Sequence, residues 1–226
     1  AKQQAAKIDF LMNHLTFVVQ EEMQGYGHAV YCAKDFAAGE PFLLLLGDHL
    51  YLSNHEERCA SQLLKLARAQ DCSVSAVNAT PEYLIGQYGT LTGTHLGGEE
   101  GVYSIEKIIE KPSLSQAELE LMTPGLQAAH YLCFFGMHVL EANIFELLET
   151  QINHSSNQTD IQLTPALQKL AQSSKYLAKQ MAGRRFNLGT HFGWLEAQVA
   201  FGLNSDHASG LLSSIVNELA LAQMKS

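Results

Sequence analysis

Positive charge is scarce in this chain. Fourteen Lys and Arg stand against twenty-three Asp and Glu, a formal net charge of −9 over 226 residues, and no basic stripe gathers on one segment. Nucleic-acid backbones are held by local positive charge, so this pattern argues against nucleic acid as the main partner. A few placed cations still suffice for a small phosphorylated ligand. Long apolar runs are lacking too. No segment reaches the roughly 18 residues that cross a bilayer, and the opening Ala-Lys-Gln-Gln is neither a signal nor a transit peptide, so the expectation is a soluble, cytoplasmic protein without a membrane partner. Cys32, Cys59, Cys72 and Cys133 include no Cys-x-x-Cys pair, which disfavours structural zinc and a disulfide framework and leaves buried free thiols. Asn153-His154-Ser155 and Asn157-Gln158-Thr159 match the glycosylation triplet, which matters only in a secreted chain, and are discounted. No low-complexity linker divides the sequence, so one domain spanning 1–226 is expected.

What is present is an alternation of apolar runs and helical periods. Leu15 to Val19 is a short β-branched and aromatic run that reads as a buried strand ending at the polar Gln20. Gly27 to Phe36 fits a helix, and Gly39-Glu40-Pro41 supplies the turn after it. Phe42 to Leu46 is continuously apolar, as in a strand covered on both faces of a parallel sheet. Glu56 to Gln70 reads as a helix and Ser73 to Asn78 as a strand. Gly89 to Thr94 and Val102 to Ile109 flank the turn Gly97 to Gly101 as a hairpin-like pair. The apolar, aromatic run Ala128 to His138 leads to a helix over Ile144 to Leu148. Leu163 to Gln172 reads as a helix, Tyr176 to Met181 as a strand, and Trp194 to Leu203 and Ser209 to Met224 as terminal helices. This order predicts an α/β fold with a mostly parallel sheet and helices on both faces, whose ligands bind outside the carboxyl ends of the strands.

Three positions then draw attention. Asp48 follows four leucines and a glycine, and an oxygen ligand at a strand end suits a Mg²⁺ shared with nucleotide phosphates. A satisfied cap or loop aspartate fits the same position. Gln20 and Gly25 offer an amide with donors and acceptors beside flexible backbone, which suits a pyrimidine edge; a strand end followed by a turn fits as well. Glu110 and Lys111 point to opposite faces if both lie on a strand, one toward sugar hydroxyls and the other toward phosphate, although such a pair is commonly just a solvated surface. His28 reads as a shaping residue.

Gln20 to Val30, Gly47-Asp48 and Glu110-Lys111-Pro112, in that order, resemble the bacterial-type UTP:glucose-1-phosphate uridylyltransferases, nucleotidyltransferases that make nucleotide sugars. The family pattern Gln-x-x-Pro-x-Gly-Leu-Gly-His-Ala-Val is matched except for Met23 and Tyr26. The resemblance implies a three-layer, Rossmann-like fold and a role for each matched residue. Gln20 and Gly25 would contact the base, Asp48 would bind Mg²⁺, Glu110 would bind the hexose and Lys111 would meet phosphate oxygens. Tyr88-Gly89 and Phe135-Gly136 match positions where a glycine lets the sugar approach the backbone. Ile161 to Thr164 and Gly189 to Ala197 echo further family stretches.

Departures accompany the likeness. Phe186-Asn187-Leu188-Gly189 places an amide where the family has a second metal-binding aspartate, and an uncharged oxygen holds a divalent cation more weakly. Residues 122–132 depart from the family's approach to the sugar. No Gly-x-Gly-Thr-Arg phosphate loop occurs in these residues, and the chain resembles the later two-thirds to three-quarters of the enzyme. The expectation is an N-terminally incomplete domain, completed by an upstream segment or a partner polypeptide, with homo-oligomerisation also open. The implied reaction is UTP plus glucose-1-phosphate to UDP-glucose and pyrophosphate. The alternatives are a catalytically weak or inactive sugar-nucleotide-binding module and a nucleotidyltransferase of other base or sugar specificity.

Overall fold

The computed structural model describes residues 2–98, 100–154 and 160–223. Ser155 and the triplet at Asn157, Glu99 of the hairpin turn, and Met224 lie outside the described residues. A six-stranded sheet carries the chain. Its order is β1 (Phe42–Leu45), β6 (His130–Leu140), β3 (Ser73–Pro81), β7 (Tyr176–Gln180), β5 (Val102–Glu110) and β4 (Gly89–His95). β4 also meets β6 at Thr90↔Cys133 and Leu91↔Leu132, so β6, β3, β7, β5 and β4 form a closed circuit of ladders. A separate two-stranded ribbon joins β2 (His49–Ser53) to β8 (Gly183–Asn187).

Helices cover both sheet faces. On one face lies α4 (Cys59–Gln70), which buries Cys59, Leu63, Leu66 and Ala67, one stripe at helical spacing, against Val74, Phe135, Met137 and Leu177. On the other lie α2 (Tyr26–Cys32), α6 (Asn143–His154) and α7 (Leu163–Ser173). α7 buries Leu163, Ala166, Leu167 and Leu170. Each fully buried leucine there is worth roughly 1.5–3 kcal/mol relative to exposure, so a charged residue at Leu167 would break this layer. Pro165 is tolerated because the first turn of a helix has no amide partner to lose. α7 ends where the Ser173 and Ser174 hydroxyls both bond the Leu170 carbonyl.

The sheet is mixed, which corrects the expectation of a mostly parallel one. Among the described pairings only β3 and β7 run parallel; β6 runs antiparallel to β1, β3 and β4, and β5 to β4 and β7. Apolar runs report cover above and below the strand, and they carry no direction. Two strand expectations also change. Residues 15–20 form no strand, and Phe17 is 82% exposed; a β-branched run without a neighbouring ladder leaves its backbone groups to solvent. Phe42–Leu45, most of the run expected to be covered on both faces, is an edge strand bonded among the described residues to β6 alone, only half-buried, with Leu45 46% exposed. The hairpin at β4–β5 and the helices α4, α7 and α8 (Gly193–Leu203) form where periodicity placed them.

The remaining helices are α1 (Lys2–Met12), α3 (Lys34–Ala37), α5 (Leu114–Glu120) and α9 (Ala208–Gln223), with a 3-10 helix at Glu82–Gln87. No described helix is long and apolar enough to cross a membrane.

Candidate functional site

Period-two alternation builds one wall of a cavity of about 270 Å³. On β6, Phe134, Gly136 and His138 face the cavity, while Phe135, Met137 and Val139 face α4. A second wall is the β2–β8 ribbon, in which His49 pairs with Asn187 and Tyr51 with Arg185; directly opposed residues share a face. His49, Arg185 and Asn187 line the cavity, and the Tyr51 hydroxyl donates to the Gly136 carbonyl at 2.7 Å. The other face of the ribbon packs Phe186 and Leu52 on Ala197 and Ala200 of α8. Tyr26 of α2, Gln162 to Thr164 at the start of α7, and Tyr88-Gly89 close the cavity.

Glu110 and Lys111 both line it, which corrects their expected division between opposite faces. β5 ends at Glu110, and Lys111 takes a left-handed φ of 47° with its amide bonded to the Tyr88 carbonyl. The chain turns there instead of alternating. A non-glycine residue in this region carries strain of order 1–3 kcal/mol, offset here by a fixed backbone bond. Thr164 Oγ1 donates to Glu110 Oε2 at 2.6 Å.

Two of the named glycines admit protein as much as ligand. A Cβ on Gly89 would meet the Phe134 ring at 2.7 Å and Glu110 Oε2 at 3.0 Å; on Gly136 (φ 88°) it would meet the Tyr51 hydroxyl at 2.8 Å. Gly25 (φ 100°) lets the start of α2 press against residues 160–161, where Gly27 N–H donates to the Ile161 carbonyl and Ile161 N–H to the Gln24 carbonyl. Gln20 and Gly25 therefore sit beside the cavity, across the Ile161-Gln162 segment, and do not line it. The Gln20 amide nitrogen bonds the Gly25 carbonyl and His28 Nδ1, each at 3.0 Å. Both its hydrogens are used, and Oε1 is left as an acceptor.

Asp48 follows β1 and precedes His49, its side chain 59% exposed. Its Oδ1 bonds His49 Nδ1 at 2.7 Å. Burial lowers the His49 pKa below its ordinary value against the opposing pull of that carboxylate. Tyr26 is raised to about 12, first by burial and then by Asp48. Asn187 Oδ1 accepts the Gly189 amide at 2.8 Å, and both Asn187 Oδ1 (3.1 Å) and Asp48 Oδ2 (3.6 Å) lie close to where a Cβ on Gly189 would stand. One exposed carboxylate and one amide oxygen thus converge. No cluster of three His, Cys, Asp or Glu among the described residues encloses a metal. This donor set fits a Mg²⁺ that takes most of its ligands from phosphate and water, and not an all-protein cage.

Arg185 was not anticipated from the sequence. Its Nη1 donates to the Phe134 carbonyl, and its guanidinium lies 3.9 Å from the Tyr88 ring centroid. This fixes a second cation beside Lys111. The available signal was its position two residues before Asn187 on an alternating strand. Two wider clefts, of about 660 and 700 Å³, lie along α4 and share His55, Gln62 and Lys179; none of the residues singled out from the sequence lines them.

The Nucleotidyl transferase family signature matches residues 2–201. The UTP–glucose-1-phosphate uridylyltransferase of Staphylococcus epidermidis is 28% identical over 206 residues, 91% of this chain and 66% of that protein. The namesake from Streptococcus pneumoniae serotype 4 is 29% identical over 91% of this chain and 64% of its own length. The chain thus spans just under two-thirds of these relatives. A UDP-glucose pyrophosphorylase complexed with UDP-glucose superposes with a TM-score of 0.71 at 29% identity, covering 84% of this chain and 66% of that one. The UTP-bound enzyme from Acinetobacter baumannii gives 0.73 at 27% identity, over 96% and 73%. With its α/β fold and most of its length matched, this chain belongs to the nucleotidyl transferase family.

Proposed function

We propose that this chain forms the catalytic part of a cytoplasmic uridylyltransferase that converts UTP and glucose-1-phosphate to UDP-glucose and pyrophosphate. The observation that carries the reading is the meeting of Glu110, Lys111 and Arg185 in one cavity. An oxygen of the sugar phosphate attacks the α-phosphorus, and the bond from that phosphorus to the pyrophosphate oxygen breaks. No protein nucleophile is needed, because positioning and charge neutralisation supply the acceleration. Lys111 and Arg185 hold phosphate oxygens, Arg185 with a planar fork already oriented by Tyr88. Glu110, steadied by Thr164, accepts hydrogen bonds from hexose hydroxyls. Gln20 Oε1 accepts from the base edge, with Gly25 shaping the approach. Mg²⁺, held by Asp48 with Asn187 beside it, would supply further neutralisation of the phosphates.

Among the described residues β1 pairs with β6 alone, so its other edge is free to take a further strand. Chromatographic detection of UDP-glucose from UTP, glucose-1-phosphate and Mg²⁺, with thymidine and guanosine triphosphates in parallel, tests the reading; product from another nucleotide alone would replace uridine. Asn187 favours a second reading, a sugar-nucleotide-binding module of weak turnover. It would be selected by UDP-glucose binding without pyrophosphate-dependent turnover in the full chain.

A further inference from the structure

His138 lies at the wall of the cavity and has no part in the proposed reaction. It is 4% exposed, its ring edge-on to Phe134 at 5.1 Å, and it lines the cavity two residues beyond Gly136 on the same face of β6. Its Nδ1 is 2.5 Å from Ser75 Oγ, and Ser75 Oγ is bonded in turn to the Tyr176 hydroxyl. Ser75 and Tyr176 are also buried.

This line of bonds has a preferred direction. Burial pushes the His138 pKa down to about 4, so the imidazole is neutral and carries one proton. Were that proton on Nδ1 and donated to Ser75, one hydroxyl proton of Ser75 or Tyr176 would lack an acceptor. Among the described residues Ser75 is the only hydrogen-bond partner of the Tyr176 hydroxyl, and a buried unsatisfied donor costs about 1–3 kcal/mol. The opposite direction leaves no such orphan: Tyr176 donates to Ser75, Ser75 donates to Nδ1, and the imidazole proton sits on Nε2.

We infer that His138 is a specificity-determining residue, a neutral Nε2–H imidazole that donates to a hydroxyl oxygen of the bound hexose. Ser75 and Tyr176 are positioning residues that fix its tautomer. The assignment to a hexose hydroxyl rests on the uridylyltransferase reading. Lys111 and Arg185 already take the phosphates, and the remaining lining mixes Leu163 and Leu167 with Glu110, Gln162 and Thr164, which suits a neutral, hydroxyl-rich hexose.

The test uses the full chain with ¹⁵N-labelled imidazoles, read by long-range ¹H–¹⁵N spectra at pH 7.5, with the signal assigned by H138Q. The expected free spectrum shows a protonated Nε2 and a bare Nδ1, and saturating UDP-glucose shifts Nε2 while Nδ1 stays. S75A should mix the tautomers and raise KM for glucose-1-phosphate several-fold, with kcat within twofold. H138Q and H138F should weaken UDP-glucose about fivefold to tenfold, the worth of one neutral hydrogen bond, and leave UDP, which lacks the hexose, unchanged. A protonated Nδ1, or equal losses for UDP and UDP-glucose, would overturn the inference. If UDP-glucose binds the parent chain and Nε2 does not move, this inference falls and the uridylyltransferase reading stands; if neither UDP nor UDP-glucose binds, both fall.

Discussion

Thr164 Oγ1 donates to Glu110 Oε2 at 2.6 Å, fastening the first turn of α7 to the last residue of β5. The bond joins residues 54 apart in sequence and fixes the rotamer of the carboxylate assigned to the hexose. Replacing Thr164 with valine keeps the shape and removes the donor. The expected result is a several-fold rise in KM for glucose-1-phosphate, about 1 kcal/mol and the scale of one solvent-exposed hydrogen bond, with KM for UTP unchanged. Equal changes in both constants would show that Thr164 serves the fold and not the sugar.

Arg185 is held by a carbonyl and an aromatic face, a geometry that suits a planar guanidinium and not an ammonium. R185A should lower kcat/KM by about 10–100-fold, from loss of a charge-assisted phosphate contact. R185K should recover only part of this, because lysine restores charge without the stacked fork. Steady-state kinetics of the three proteins decide it, and full activity in R185K would mean that charge alone matters.

Asn187 supplies an amide oxygen beside Asp48, and that oxygen already accepts the Gly189 amide. N187D keeps this acceptor and adds a charge, so the turn survives. The Mg²⁺ needed for half-saturation should fall by about tenfold, as one carboxylate is gained, with Mn²⁺ binding followed by electron paramagnetic resonance showing the same shift without turnover. Unchanged metal binding would remove Asn187 from the site.

His138 gives stability a pH dependence. Its folded pKa lies near 4, lowered from 6.5 by burial, so between those values the unfolded chain binds more protons than the folded one. This contribution is fully present above about pH 6.5 and declines as pH falls toward 4, by up to about 3 kcal/mol at one unit of pKa per 1.36 kcal/mol. Urea unfolding at pH 7.5, 6, 5 and 4 should show H138F losing less stability than the parent over that interval. Parallel pH profiles would mean that the imidazole is not neutral in the fold.

Gly25 and Gly39 both have φ near 90°, yet a Cβ at Gly39 meets nothing within 4 Å, while one at Gly25 meets Asp160 Oδ1 at 2.5 Å and Ile161 N at 2.7 Å. G39A should cost about 1 kcal/mol from backbone conformation alone, and G25A about 2 kcal/mol or more. Thermal melts of the two variants rank them, and an equal loss would show that residues 160–161 give way.

Much of the architecture was legible because period and composition report burial. α4, α7 and the β4–β5 hairpin follow from spacing. Strand direction was not legible, since β6 is apolar on both faces whichever way it runs. Leu15 to Val19 misled because β propensity needs a neighbouring ladder, and none forms there. β8 went unread because Arg184 and Arg185 mask a short strand whose pattern makes sense only beside β2. At the site, Asp48, Glu110 and Lys111 stood out by residue type and resemblance. The left-handed turn at Lys111, which brings it to the same cavity as Glu110, leaves no trace in a lysine codon. Arg185 and His138 act through partners 51 and 63 residues away, a separation that only the fold closes.

The central claim is that Glu110, Lys111 and Arg185 converge to bind a hexose phosphate joined to a uridine nucleotide. Calorimetric titration of the full chain with UDP-glucose and Mg²⁺ tests it most directly, with K111A and R185A titrated alongside. Saturable one-to-one binding that each substitution weakens by about tenfold or more is the predicted result. Binding of UDP-glucose that neither substitution alters, or no binding at all, would contradict it.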